Sequence, residues 1–167
     1  MIEPRDRADG APHLRRYRDG DARATWSVFH RAVHRTAAAH YTARQLRAWS
    51  PDTVDLAAWD ERRRSAWTVV AVDAAGAVIG FADLRGEDEL DMLFVDPSAG
   101  GRGVARLLVT AVLERAREQG TKRVTVRASH SARPVLAHLG FVFDQERPEN
   151  PVRGVVVPNT VMHIDLG

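Results

Sequence analysis

The rhythm of apolar and polar positions changes several times along this chain, and each change marks a new element. Leu14 to Arg18 alternates weakly, as a strand does when one face is wet. After Gly20 and Asp21 the period lengthens, and Trp26, Phe29, Val33 and Ala37 recur at three- and four-residue steps, which predicts a helix burying that face. Tyr41 to Trp49 predicts a second short helix entered through Thr42, and Asp52 to Arg64 a third entered after Pro51. Strands follow at Trp67–Val72 and Val78–Leu84, joined by a turn around Ala75 and Gly76. Glu89–Val95 predicts a fourth strand, and a long helix runs from about Val104 to Gln119, with Gly120 as its cap. Val124–Ala128, a helix over Ala132–Leu139, and strands near Phe141 and over Val155–Ile164 complete the pattern. This order predicts an α+β fold, a sheet covered by helices.

Length and composition narrow the class. With 167 residues the chain falls in the single-domain range and is long enough to fold around one core without crosslinks. Residues 1 to 12, charged and carrying Pro4, Gly10 and Pro12, predict a flexible leader, which leaves 13–167 as one domain. There is no cysteine, which excludes disulfides, thiolate metal sites and a cysteine acyl carrier. No run approaches the roughly 18 apolar residues that span a bilayer, so a soluble cytoplasmic protein with no membrane partner is expected. Net charge is +2, and nearly all the basic residues are arginine. The one basic run, Arg62-Arg63-Arg64, follows Asp60 and Glu61 with little aromatic interleaving, and predicts a solvated helix face rather than a nucleic-acid groove.

The most informative stretch is LDMLFVDPSAGGRGVARLL, where a hydrophobic strand passes through a glycine-rich turn into a helix. A helix start leaves its first amide N–H groups unpaired and carries partial positive charge, so an anion placed there satisfies both. Gly100, Gly101 and Gly103 allow positive φ and close approach of the backbone to an oxygen ligand, while Arg102 and Arg106 add charge. A P-loop is excluded because no Lys-Ser or Lys-Thr follows the glycines, and a dinucleotide turn because GGRGVA does not match GxGxxG.

This turn resembles the acyl-CoA loop of the GCN5-related N-acetyltransferases, whose pattern is Arg or Gln, two residues, Gly, one residue, then Gly or Ala. Gly103, Val104 and Ala105 fill its second half, and Gly100 stands where the family's Arg or Gln would be. The preceding LFVDP is similar to the family's fourth strand, and ASHSARPVLAHLGF to the exit of the fifth strand and the fourth helix. HRAVHRTAAAHYTARQLRAW near the start and VRGVVVPNTVMHIDL at the end resemble the YafP-like branch. The resemblance implies the GNAT fold, a mixed central β-sheet of six to seven strands flanked by helices. It further implies acetyl-CoA as cosubstrate, no metal, and direct acetyl transfer to a primary amine of a small molecule, peptide or protein. The main chain of Leu93, Phe94 and Val95 would hold the pantetheine arm and the acetyl carbonyl. Residues 100 to 106 would hold the pyrophosphate, and Ser129 and Ser131 the pantetheine amides or thiol. A homodimer is compatible with the family, and the alternative to catalysis is a non-catalytic acyl-CoA binder.

Direct transfer requires a base for the ammonium, donors for the developing oxyanion and a proton for the leaving thiolate. Asp91 is the preferred base and Glu89 the second candidate; strand alternation predicts that both point the same way as Leu93 and Val95. A pair of solvent-facing residues at a strand start fits equally well. For the acid, the position where relatives carry a helix tyrosine is Leu136, which leaves Tyr41, His40, water, or a thiolate that leaves unaided. Packing accounts equally well for Tyr41. His40 and Trp49 are candidates for the acceptor pocket, with Arg153 and Asn159 in the matched terminal segments. His30 and His34 have the spacing of a metal pair, but without HExxH or an evident third ligand no metal is expected.

Overall fold

The computed structural model describes residues 10–167, so the expected leader lies outside the description as far as residue 9. Nine strands are β1 (His13–Arg16), β2 (Trp67–Val72), β3 (Val78–Arg85), β4 (Glu89–Val95), β5 (Arg123–Ala128), β6 (Val142–Arg147), β7 (Pro151–Val152), β8 (Val155–Val156) and β9 (Asn159–Asp165). Five helices are α1 (Ala22–Arg31), α2 (Ala43–Trp49), α3 (Leu56–Ser65), α4 (Val104–Glu118) and α5 (Ala132–His138). Seven strands form one sheet in the order β1-β2-β3-β4-β5-β9-β6, and β7 and β8 form a separate hairpin.

Each face of the sheet carries its own core. On one side Leu108, Val109, Val112 and Ala116 of α4 and Leu136 of α5 pack on Ala82, Leu84, Leu90 and Val126. On the other, Val28, Phe29 and Val33 of the first helical segment and Trp59 of α3 pack on Val70, Phe81 and Phe94. Of the positions that the sequence spacing selected, Phe29, Val33 and Ala37 are buried here and Trp26 is partly buried, while Val28 joins them from outside that pattern. Residues 32–36 continue α1 as a π-helical turn and 37–39 as a 3₁₀ turn, a departure from regular helix common at functional sites.

The boundaries follow local chemistry. Thr42 and Gln45 close a reciprocal capping box at the start of α2. The third helix begins later than expected, at Leu56, because Asp55 caps it through the Ala58 amide; residues 52–54 remain outside the helix. The expected last strand is divided: the hairpin turn at Arg153 and Gly154, both at positive φ, pairs β7 with β8, and β9 starts only after Pro158.

Two irregularities shape the centre. β4 pairs in parallel with β5 only at Glu89–Leu90, so beyond Leu90 the strands separate and alternate amides of β4 face a gap. On its other side β4 pairs with β3, but the register slips: Asp83 faces Met92 and Leu84 faces Leu90, leaving Asp91 as a bulge.

Candidate active site

The gap between β4 and β5 opens into a cleft of about 740 Å³, lined by Leu93, Phe94 and Val95, by the turn at Gly100, Gly101 and Gly103, and by Ser129 and Ser131. The sequence therefore placed the turn and the strand at one site. Asp96 fixes the strand's exit: its carboxylate accepts from the Ser98 amide (3.0 Å) and hydroxyl (2.7 Å) and from Arg31 Nε (2.7 Å). Burial opposes its charge, but the Ser98 bonds and the Arg31 pair outweigh burial and hold the carboxyl below its ordinary range.

The turn is a cradle of amides. Gly101 and Gly103 have φ of 74° and 75°, a region that costs other residues strain. A Cβ at either would meet no protein atom within 4 Å, so the space above the loop is open. Among the described residues, no backbone acceptor is found for the amides of Gly101 through Arg106. Six free donors in sequence, ending in the first turn of the 15-residue α4, fit an anionic diphosphate. Val104 is buried and serves the core, so only its amide faces the cradle. Ala105 and Arg106 line the cleft, whereas Arg102 is exposed and lies off it. The Ser129 hydroxyl accepts from the Ala132 amide at 3.1 Å and caps α5, while Ser131 makes no such cap and keeps its hydroxyl free. Leu136 is 1% exposed and belongs to the core, and no tyrosine lines the cleft.

A second cavity, of about 540 Å³, lies against the opposite face of β4, between α1, α3 and the β7–β8 hairpin. Trp49 lines both cavities and stands between them, held by Phe94 (6.0 Å between ring centres) and Tyr41 (5.6 Å). Arg153 reaches from the hairpin to the Ala48 carbonyl at 2.8 Å and the Trp49 carbonyl at 3.3 Å, clamping the end of α2.

Asp91 opens into this second cavity beside Met92, Trp26 and Trp59. The expectation that it shares a face with Leu93 and Val95 is corrected here: those two pack toward α4, whereas Asp91 lines the α1–α3 side. Strand alternation fails because the bulge adds one residue and re-aims the side chain. Asp91 has no hydrogen-bond or ion-pair partner among the described residues. Glu89 lines neither cavity and is paired with Arg85 at 2.6 Å.

Tyr41 is 8% exposed and outside both cavities. Its hydroxyl donates to the Pro158 carbonyl at 2.7 Å and accepts from the His130 amide at 3.0 Å. Burial pushes its pKa up. The hydroxyl thus ties α2's entrance to β9 and the β5 exit. His40 is exposed and lines neither cavity. The structure brings Asp52 to His30 and His34, a third potential ligand that spacing did not show, with ligand atoms of the three within 4.8 Å of one another; His30 Nδ1 also bonds the Ser50 hydroxyl (2.7 Å) and His34 Nε2 the Ser50 carbonyl (2.8 Å).

Sequence reading missed the buried floor of the second cavity. In the Arg62-Arg63-Arg64 run, the outer two are exposed as expected, but Arg63 turns inward onto Asp83 at 2.7 Å, with exposures of 4% and 0%. Its guanidinium also stacks over Trp59, 4.4 Å from the ring centre. The available signal was Asp83 itself, a carboxylate in the apolar run VIGFADL that demands a partner.

A cradle of this kind beside a split sheet agrees with the family comparison: the model of the acetyltransferase (GNAT) domain matches residues 37–160. The chain belongs to the GNAT acetyltransferase family. It is 36% identical to the uncharacterised N-acetyltransferase YafP of Escherichia coli K12, over 81% of this chain and 85% of that protein. A GCN5-related N-acetyltransferase from Rhodopseudomonas palustris superposes with a TM-score of 0.89 at 33% identity, covering 93% of this chain and 96% of the other. The yncA protein of Salmonella typhimurium, solved with acetyl-CoA, superposes with a TM-score of 0.70 at 25% identity, covering 93% and 94%. The GNAT chain is thus an acyltransferase, and among its described residues no helix is long and apolar enough to cross a membrane.

Proposed function

We propose that this GNAT protein transfers acetyl from acetyl-CoA to a primary amine within a ternary complex, the cosubstrate occupying the cleft and the amine the cavity beyond Trp49. The observation that carries this reading is the run of unpaired amides from Gly101 to Arg106 at the mouth of a cleft that follows β4 into the sheet. Acetyl-CoA supplies an activated acyl group, and the chain supplies position and proton traffic. Amides of β4 facing the gap are the donors for the carbonyl oxygen. Asp91, unpaired and facing the amine cavity, takes the ammonium proton; the nitrogen–carbon bond forms as the carbon–sulfur bond breaks. With Tyr41 engaged elsewhere, the sulfur takes the proton that the nitrogen loses on becoming an amide. No acyl-enzyme is required.

Calorimetric titration with acetyl-CoA, followed by thiol release across a panel of amines and peptides, tests this. Saturable binding with acceptor-dependent release is expected; absence of binding would sink the cradle assignment, and binding without release would favour an acyl-CoA binder.

A further inference from the structure

We infer that the acceptor is an amine that also carries a carboxylate, an α-amino acid or close analogue with an apolar side chain, and that Arg63 receives the carboxylate. This rests on the second cavity being the acceptor site.

Three features of that cavity converge. Its apolar wall is aromatic: Trp26, Phe29, Trp49 and Trp59, with Met92, enclose a space suited to one apolar side chain. Of its two anions, Asp55 caps α3 through the Ala58 amide, and Asp91 is the free one, without a hydrogen-bond or ion-pair partner among the described residues. Its cations are Arg62, Arg63, Arg85 and Arg153. Two of these are engaged, Arg85 by Glu89 and Arg153 by the carbonyls at the end of α2. Arg62 is exposed at the rim.

Arg63 is different. It lines the cavity while being 96% removed from solvent, and although Nε lies 2.7 Å from an Asp83 oxygen, neither Nε nor Nη1 nor either Asp83 carboxylate oxygen completes a hydrogen bond among the described residues. A buried guanidinium N–H left unpaired is costly, and an incoming carboxylate would remove that cost. Trp59 stacks on the guanidinium plane and fixes its orientation. Asp83 faces Met92 across the β3–β4 ladder, one residue from Asp91, so the free anion and the unsaturated cation occupy neighbouring positions of one wall. An ammonium beside a carboxylate on one carbon matches that arrangement; an isolated amine or a protein lysine satisfies only half of it.

The test compares acceptors that share a side chain and differ at the carboxylate: L-phenylalanine against phenethylamine and L-phenylalaninamide, the last two bracketing the basicity of its amine. With acetyl-CoA saturating, L-phenylalanine should exceed both in kcat/KM by about ten-fold or more, the value of a charge-assisted bond. Arg63→Met should erase that preference by raising KM for the acid alone, and Arg63→Lys should restore part of it. Acetyl-CoA affinity and circular dichroism of each variant report folding separately. If acetyl-CoA binds and the amine or amide is acetylated as well as the acid, or if none of the three is acetylated or bound, the inference is overturned while the cosubstrate site stands. If acetyl-CoA does not bind, the underlying reading fails first. Should Arg63→Met not fold, the preference in the wild type and in Arg63→Lys decides.

Discussion

The two cavities that meet at Trp49 are built from different materials. The cleft proposed for acyl-CoA is largely main chain: amides at a helix start and along a strand edge, with side chains that mainly fill space. The second cavity is made of side chains delivered by α1, α2, α3, the β3–β4 ladder and the β7–β8 hairpin. A site of amides depends on local conformation and tolerates many sequences; a site of side chains depends on what the fold brings together. On the proposed reading, the cosubstrate end is therefore generic and the acceptor end particular.

The sharpest way to break that contrast is at Asp91. Asp91→Asn should lower kcat by about 10²–10⁴, the usual contribution of a general base. Acetyl-CoA affinity should not change, which calorimetry checks. An unchanged rate would return the base to water or to Glu89.

The floor of the second cavity provides a pH test. Burial pushes the Asp83 carboxyl up, to about 7, against the pull of Arg63. Because the folded value lies above the unfolded 3.8, the contribution of Asp83 to stability is full below the unfolded value and is lost as pH rises through about 7. In Asp83→Asn that decline, at most about 1.4 kcal/mol per pH unit for one proton, should disappear from urea-unfolding free energies. A uniform loss of stability at every pH would mean instead that Asp83 stays ionised beside Arg63.

In the cleft, backbone and side chain can be separated. Gly103→Val puts a β-branched residue at φ 75°, with strain on the order of 1–3 kcal/mol, and should weaken acetyl-CoA binding by roughly 10-fold or more. Arg102→Ala, whose side chain lies off the cleft, should change it by less than about three-fold. Equal losses would make the cradle ionic rather than amide-built.

The smallest effect on turnover is expected at Tyr41. Tyr41→Phe removes two hydrogen bonds and should cost about 1–3 kcal/mol of stability, with kcat nearly unchanged at a temperature where the variant is folded. A large fall in kcat with stability intact would restore Tyr41 as the acid.

The sequence by itself determined the parts whose cause is local. Apolar spacing defines the α1 face through Phe29 and Val33, Thr42 and Gln45 define the entry to α2, and the glycines before Val104 define the anion cradle. Each depends on residues within a few positions of one another, so a reading along the chain reaches them. Tertiary structure alone decided where Asp91 points, because a one-residue slip against β3 reverses a face that alternation had assigned. It also decided that Arg63 is a buried anchor rather than a solvated charge, since its partner Asp83 lies 20 residues away on another element. Tyr41 was placed outside both cavities in the same way, its hydroxyl held by a carbonyl at Pro158 and an amide at His130. Periodicity fixes which residues share a surface of one element; only packing fixes which element that surface meets, and the second cavity is made at those meetings.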